Sequence, residues 1–296
     1  MSFPLRWMRR LGCIIAGTTC LLFPCIPAIA ARAEARVVPP WVACAVWQSV
    51  SGLGGEQLTA ISAASRSDIW AVGTAGPEGS QRTLMAHWDG IRWQIAPSPN
   101  PPALDDRLFG VVAITANDAW AVGATLNRSS SRPEQPLIEH WDGRRWSVTP
   151  SPITPGNGDY YLYGVAADAP NDVWAVGTRA GGTATLIEHW DGRRWRIVPG
   201  ARLGPDGGSL QSVAVLSADD VWAAGSVTGN YRTGLIEHWD GRRWYVVPEP
   251  ALPAQYMYQY TYISSIAGVS RTDVWAVGGY EAIPGRAGPI IEHWDG

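Results

Sequence analysis

The chain has 296 residues, 46% hydrophobic and only 17% charged, with a net charge of −3. That is ample material for a buried core, and it excludes a globally disordered chain. All 23 basic residues are arginine and 26 acids outnumber them, so no basic face marks a nucleic-acid-binding surface.

Read from the N-terminus, the first 30 residues carry Arg6, Arg9 and Arg10, then an apolar run over 11–30, and no acid. A basic head, an apolar stretch and small residues at Ala28 and Ala30 read as a secretory signal peptide, with a second possible cut after Ala33. Residues 1–33 are therefore assigned to export, and the mature protein is expected outside the cell or on its surface. The rival reading is an uncleaved anchor, since the run is nearly long enough to span a bilayer. Pro24, Pro27 and the small residues at its end favour cleavage. Loss of this segment removes Cys13, Cys20 and Cys25 and leaves Cys44 alone, so no intramolecular disulfide is expected in the mature chain. Residues 34–45 read as a linker.

From residue 46 onward one unit recurs. LIEHWDGRRW stands unchanged at 137–146, 186–195 and 235–244, appears as LMAHWDGIRW at 84–93, and recurs as IIEHWDG at 290–296. All five histidines lie in it: His87, His140, His189, His238 and His293. A second element, Asp-x-Trp-Ala-x-Gly, precedes each copy and carries Trp70, Trp120, Trp174, Trp222 and Trp275. The histidines fall 53, 49, 49 and 55 residues apart, a period of solenoids, propellers or arrays. The units span about 57–97, 108–150, 162–198, 210–248 and 263–296.

Four strands fit each unit. The first is a short run such as LFGVVAIT (108–115), followed by a turn rich in Ser, Asn and Asp. The second is Trp-Ala-Val-Gly, alternating large with small residues, so that a Trp/Val surface can nest on an Ala/Gly surface. The third is LIEHW. Asp-Gly then predicts a two-residue hairpin, placing Trp141 across from Arg144, His140 across from Arg145 and Glu139 across from Trp146. The fourth is RRWSV or its equivalent. Short strands at regular spacing in 50-residue units predict an all-β fold, a β-propeller of about five four-stranded blades over 46–296. Residues 46–50 (VWQSV) resemble a fourth strand, which unit five does not show, and are expected to complete that unit and close the ring.

Fourteen of the 17 tryptophans occupy three repeat registers and read as blade-packing anchors. The histidines, one per blade on a strand away from the centre, stand too far apart to share an ion, so no metal site and no cofactor is expected. The repeated aspartates, Asp118 and Asp172 among them, read as turn formers. No Gly-x-Ser-x-Gly elbow is present, and no enzyme activity is expected. Function is sought where the copies differ. The connector before unit five carries Tyr256, Tyr258, Tyr260 and Tyr262 on alternate residues, on one face if extended. The connector before unit three carries Tyr160, Tyr161 and Tyr163. Tyr160, Tyr161, Tyr256, Tyr258 and Tyr260 are the candidate ligand-binding residues; the bland alternative makes each connector an extra strand packed on the ring.

The succession W-x-x-V-P, L-x-x-V-A, D-V-W-A-V-G and I-x-H-W-D-G resembles bacterial secreted β-propeller repeats, of the tectonin and Asp-box (BNR) types. A tectonin resemblance implies glycan binding, and an Asp-box resemblance implies sialidase-like hydrolysis. The Asp-box order Ser-x-Asp-x-Gly-x-x-Trp is absent, and the sialidase arginines and tyrosine–acid pair have no counterparts here. The reading that results is a non-catalytic exported propeller, expected to be monomeric, that binds a protein or surface ligand through its rim. The alternatives are a multivalent lectin with one site per blade and, third, a glycoside hydrolase.

Overall fold

Each Asp-x-Trp-Ala-x-Gly copy becomes the second strand of an antiparallel sheet, and each His-Trp copy ends the third. A computed structural model describes residues 57–100, 105–126, 133–153, 158–179, 183–229, 233–250, 258–282 and 285–296, all in one compact unit, Val50–Gly296. The signal and linker segments and the expected closing strand at 46–50 lie outside the described residues.

The first sheet comprises β1 (Gln57–Ser65), β2 (Asp68–Ala75), β3 (Arg82–Trp88) and β4 (Trp93–Ala96). The second holds β5 (Asp105–Thr115), β6 (Asp118–Leu126), β7 (Gln135–Trp141) and β8 (Trp146–Val148). The third holds β9 (Tyr160–Ala169), β10 (Asp172–Arg179), β11 (Ala184–Trp190) and β12 (Trp195–Ile197). The fourth holds β13 (Gly208–Ser217), β14 (Asp220–Val227), β15 (Thr233–Trp239) and β16 (Trp244–Val247). The fifth shows three strands among the described residues, β17 (Tyr258–Ser270), β18 (Asp273–Ala282) and β19 (Arg286–Trp294). In every sheet the strands lie side by side in chain order. The first strands of successive sheets, β1, β5, β9, β13 and β17, pack against one another and form the inner lining. Radial repetition of such sheets is the architecture of a β-propeller, and five successive blades are described here.

The hairpin between the third and fourth strands differs from expectation. Trp141 pairs with Trp146, His140 with Ser147 and Glu139 with Val148, so the loop holds four residues, Asp142 to Arg145, rather than two. The cause is the aspartate. One carboxylate oxygen of Asp142 accepts from the amides of Arg144 (2.8 Å) and Arg145 (2.9 Å), while the Asp142 amide donates to the Arg145 carbonyl (3.3 Å). Gly143 takes φ +86°, which its lack of a Cβ permits. Asp191 and Asp240 build the same loop. Both arginines are therefore loop residues and do not lie across from Trp141 or His140.

The core lies between sheets. Trp120, Val122 and Ile138 of the second sheet pack on Leu162, Val173, Ala175, Leu186 and Trp195 of the third, and the equivalent residues repeat this at the other three interfaces, the last without a fourth-strand tryptophan among the described residues. The large/small alternation of Trp-Ala-Val-Gly is thus used on both faces, Trp and Val toward the next blade, Ala toward the previous one. Trp120 meets Trp190 and Trp195 of the next sheet at 4.8 and 5.2 Å, and Trp174 meets Trp239 and Trp244 at 5.3 and 5.5 Å. Tilted and edge contacts of this kind are favourable beyond the area they bury.

The glycine that ends this motif has its own reason. Gly73, Gly123, Gly177, Gly225 and Gly278 pair with Leu58, Leu108, Leu162, Leu210 and Ile263 of the first strand. A Cβ at any of them would run into the carbonyl oxygen of the residue before that leucine or isoleucine. The close approach accompanies a β-bulge: the next first-strand residue, Thr59, Phe109, Tyr163, Gln211 or Ser264, has no cross-strand partner. Two substitutions test this frame by urea denaturation. Trp174→Ala is expected to cost about 3–5 kcal/mol through its cavity, and Gly177→Ala about 1–3 kcal/mol through overpacking against a backbone that cannot withdraw.

Candidate functional site

The bulges put one variable residue per blade on the inner strand at a register that is otherwise constant. Thr59 turns back into the frame, its hydroxyl donating to the carbonyls of Val72 (3.1 Å) and Leu108 (2.7 Å). Ser264 does likewise to the Val277 carbonyl at 3.1 Å. Phe109 and Tyr163 instead meet across the second and third sheets, ring centroids 5.4 Å apart and planes tilted by 48°. Tyr161 continues the row, parallel to Tyr163 within 4° at 5.8 Å. These three rings form an aromatic row at the start of the inner strands, and all three remain partly exposed.

Polar residues hold the row. Asp105 accepts the Gln81 amide at 2.9 Å, and Asp159 accepts the Glu134 amide at 3.0 Å, so the starts of the second and third inner strands each clamp the approach to the third strand of the preceding blade. The Arg107 guanidinium donates to the Gln81 side chain at 2.6 Å. Burial, and then the charge of Glu134, raise the Tyr163 phenol above its ordinary range, which keeps it neutral and able to donate.

The sequence-predicted tyrosines distribute as follows. Tyr161 is in the row. Tyr160 points the other way, into the core between the second and third sheets, with the Arg179 guanidinium 5.8 Å over its ring. Tyr260 and Tyr262 are exposed on β17, one face of the fifth sheet, and Tyr258 opens that strand; Tyr256 lies outside the described residues. The tyrosines of 258–262 lengthen the inner strand to 13 residues and do not form an extra strand. Phe109 and Arg107 were missed by reading connectors alone. Aligning the units on Leu58, Leu108, Leu162, Leu210 and Ile263 is the signal that exposes them.

The repeated polar residues, by contrast, spend their hydrogen bonds on one another. Each histidine Nε2 meets an aspartate of its own sheet: His87–Asp68 at 2.6 Å, His140–Asp118 at 2.8 Å, His189–Asp172 at 2.6 Å, His238–Asp220 at 2.7 Å and His293–Asp273 at 3.0 Å. Each ring also lies 4.1–4.4 Å from the tryptophan of its sheet's second strand. The same carboxylate accepts the indole N–H of Trp174, Trp222 and Trp275 at 2.7–2.9 Å. The aspartates are therefore more than turn formers: they orient a histidine and a tryptophan together. Among the described residues no group of three or more His, Cys, Asp and Glu is placed to hold a metal. In the fourth blade the Tyr245 hydroxyl adds a 2.6 Å bond to His238 Nδ1. Burial and the charges of Asp240 and Asp220 raise that phenol, the opposite of what a tyrosine nucleophile needs.

The third-strand glutamates Glu139, Glu188 and Glu237 are fully buried between blades. Glu139 accepts from the Ser98 hydroxyl (2.9 Å), Glu188 from the Ser151 hydroxyl (2.8 Å) and Glu237 from the Ala201 amide (2.8 Å), each donor lying on the Pro-rich connector out of the preceding sheet. Burial pushes all three up to about 7, against these bonds. At the fourth connector Glu249 faces Glu292; burial and the charge of Glu292 push Glu249 up to about 7 as well.

A pocket of about 100 Å³ lies beside that pair, lined by Trp222, Ile236, Val247, Ile266, Val274 and Trp294 among others. Trp222 here plays the part of Trp70, Trp120 and Trp174, which pack edge-on against Trp146, Trp195 and Trp244 of the next blade's fourth strand. The pocket lies at the place that Trp146, Trp195 and Trp244 fill at the other three interfaces.

No protein-family model matches the chain, and no curated protein matches it. Solved structures similar to it include YCF48 bound to a D1 peptide (13% identity over 81% of this chain and 67% of that one, TM-score 0.46). A second is the six-bladed fungal lectin of Aleuria aurantia (14%, 80% and 78%, TM-score 0.47). A third is the Xanthomonas campestris GH74 xyloglucanase (13%, 76% and 44%, TM-score 0.42), of whose chain this protein spans less than half. The three differ in what they do, and none of their activities is carried over to this chain.

The buried glutamates carry a pH prediction. A folded-state value near 7, above the ordinary 4.5, means stability fully present below pH 4.5 and lost as pH rises through 7. Glu188→Gln removes that loss. Its melting temperature should match the wild type at pH 4 and exceed it at pH 8, by up to about 3 kcal/mol of stability. Equal curves at pH 8 would show the carboxylate to be tolerated in place.

Proposed function

We propose that this chain is a non-catalytic exported β-propeller that binds a protein or surface ligand through the variable starts of its inner strands. The observation that carries the reading is the contrast between positions. Residues repeated in every blade are hydrogen-bonded or packed internally, whereas Phe109, Tyr161, Tyr163, Tyr260 and Tyr262 occur once each and keep aromatic surface open. Tyrosine pairs an apolar face with a polar tip, which suits both an extended peptide and a sugar face. A blade-specific site of this kind binds one ligand per chain.

The second reading, a lectin with one weak site per blade, draws support from a different feature. Trp141 and Trp239, which follow the repeated histidine, keep part of the ring open while the N–H donates to a turn carbonyl at 3.1–3.2 Å. Near-identical sites of this sort would act through avidity. A glycan array and calorimetry on the full chain, with Tyr161→Ala, Tyr260→Ala and Trp190→Ala variants, separate the two. One site lost with either tyrosine supports the inner-strand reading; several equivalent sites, reduced by Trp190→Ala alone, replace it with the lectin. A ligand bound at full strength by all three variants would sink both.

A further inference from the structure

Each repeated histidine has two ring nitrogens, and in every blade Nε2 is taken by the aspartate of the second strand. What meets the other nitrogen depends on the residue across the hairpin, which differs in each four-stranded sheet. Gln94 faces His87, Ser147 faces His140, Arg196 faces His189 and Tyr245 faces His238. Gln94 and Arg196 turn to the loop aspartates Asp89 and Asp191, each at 2.6 Å. Tyr245 turns to the histidine itself, its hydroxyl 2.6 Å from Nδ1. The phenol also lies edge-on to the imidazole, with centroids 5.3 Å apart. The His238 side chain is 16% exposed as a result, where the other four are 26–37% exposed. Among the described residues no other histidine holds a side-chain bond at both nitrogens.

We propose that Tyr245 is a redox-active tyrosine, a one-electron donor to small external oxidants, with His238 as its built-in proton acceptor. It lies on the fourth strand, at the edge of its sheet and away from the inner strands that carry the proposed ligand surface. The tautomer follows from the shared carboxylate. Asp220 accepts the Trp222 indole N–H at 2.9 Å and the His238 Nε2–H at 2.7 Å, which leaves a lone pair on Nδ1 for the phenol to donate to. Burial, then the charges of Asp240 and Asp220, raise the phenol, so it keeps its proton until an electron leaves. Removal of the electron makes the phenol a strong acid, and the step is fast only when a base takes the proton with it. The electron passes to the oxidant, the O–H bond breaks, and the proton forms an N–H bond at Nδ1; no other bond changes. His238 becomes an imidazolium with Asp220, a side chain only 3% exposed, against its Nε2 side. The other charges facing the pair are Arg271, 3.6 Å from the second Asp220 oxygen, and Asp240 and Arg243 beside the phenol. Tyr245 is 38% exposed, open to a high-potential metal complex or an organic radical as oxidant. A thiol or enediol reductant then returns the electron as the proton moves back.

Flash oxidation of the full chain by photogenerated ruthenium(III) tris-bipyridine tests this, with the tyrosyl radical followed by its absorption and its electron paramagnetic resonance spectrum. The Tyr245 signal is the difference between the wild type and Tyr245→Phe, which keeps the ring and removes only the hydroxyl. Its rate is expected not to depend on buffer concentration, because the base is part of the fold. Tyr260, similarly exposed at 43%, is the comparison, read in the same way through Tyr260→Phe. Its oxidation should be slower and should rise with the concentration of buffer base. His238→Gln keeps a hydrogen-bonding side chain without a basic nitrogen, and should slow Tyr245 oxidation about a hundredfold, within the usual reach of general-base assistance. Circular dichroism melts verify folding, and if His238→Gln does not fold, the buffer comparison in the wild type decides by itself. A Tyr245→Phe chain with the wild-type radical yield overturns the proposal. So does a Tyr245 rate that climbs with buffer as steeply as that of Tyr260, or one unchanged in a folded His238→Gln variant.

Discussion

Burial of one tryptophan per blade against the next sheet is the interaction on which the rest depends. A four-stranded sheet this small cannot bury its own faces, so stability accrues only by stacking. Trp70, Trp120, Trp174 and Trp222 are the largest of the fully buried side chains, and each lies on a strand whose opposite face offers only valine, isoleucine or alanine at the matching positions. Large toward one neighbour and small toward the other makes every blade both a plug and a socket. That polarity orders the blades.

The polar residues of the repeat serve the same end. An indole N–H buried without a partner costs about 1–3 kcal/mol, and the aspartate two residues earlier supplies a partner for Trp174 and Trp222. The histidine on the neighbouring strand shares that carboxylate and covers the indole face. Between blades, each buried glutamate ties the third strand to the preceding connector, at the expense of a carboxyl that resists ionising. Constant residues are thereby occupied, and the single-copy residues of the inner strands are left to face a ligand.

Much of this was legible. Period, strand order, tryptophan registers and the nesting of large on small all follow from the repeat. The Asp-Gly hairpin did not, because Asp142 takes two amides onto its own carboxylate and widens the loop to four residues; Asp-Gly signals a turn, but the following arginines decide its length only through backbone hydrogen bonds. The tyrosine connectors were recognised as variable, yet their role as extensions of the inner strand depended on pairing with Glu281 and Tyr280. Phe109 was invisible because a bulge has no sequence signature of its own. Its cause, Gly123, lies on the neighbouring strand and looks like an ordinary small residue.

Sequence by itself determined the repeat, the all-β class, the alternation that makes two unlike faces per blade, and the residues held in common. These are local or periodic properties, and period two along a strand is enough to assign them. Only the tertiary structure decided which tyrosines are open and which are core, since Tyr160 and Tyr161 are neighbours in the chain and differ by which side of one strand they occupy. It also decided that the inner strands bulge and that aspartate, histidine and tryptophan form one unit. Those outcomes depend on contacts between strands 17–22 residues apart and between blades about 50 apart, where the pairing register sets the geometry.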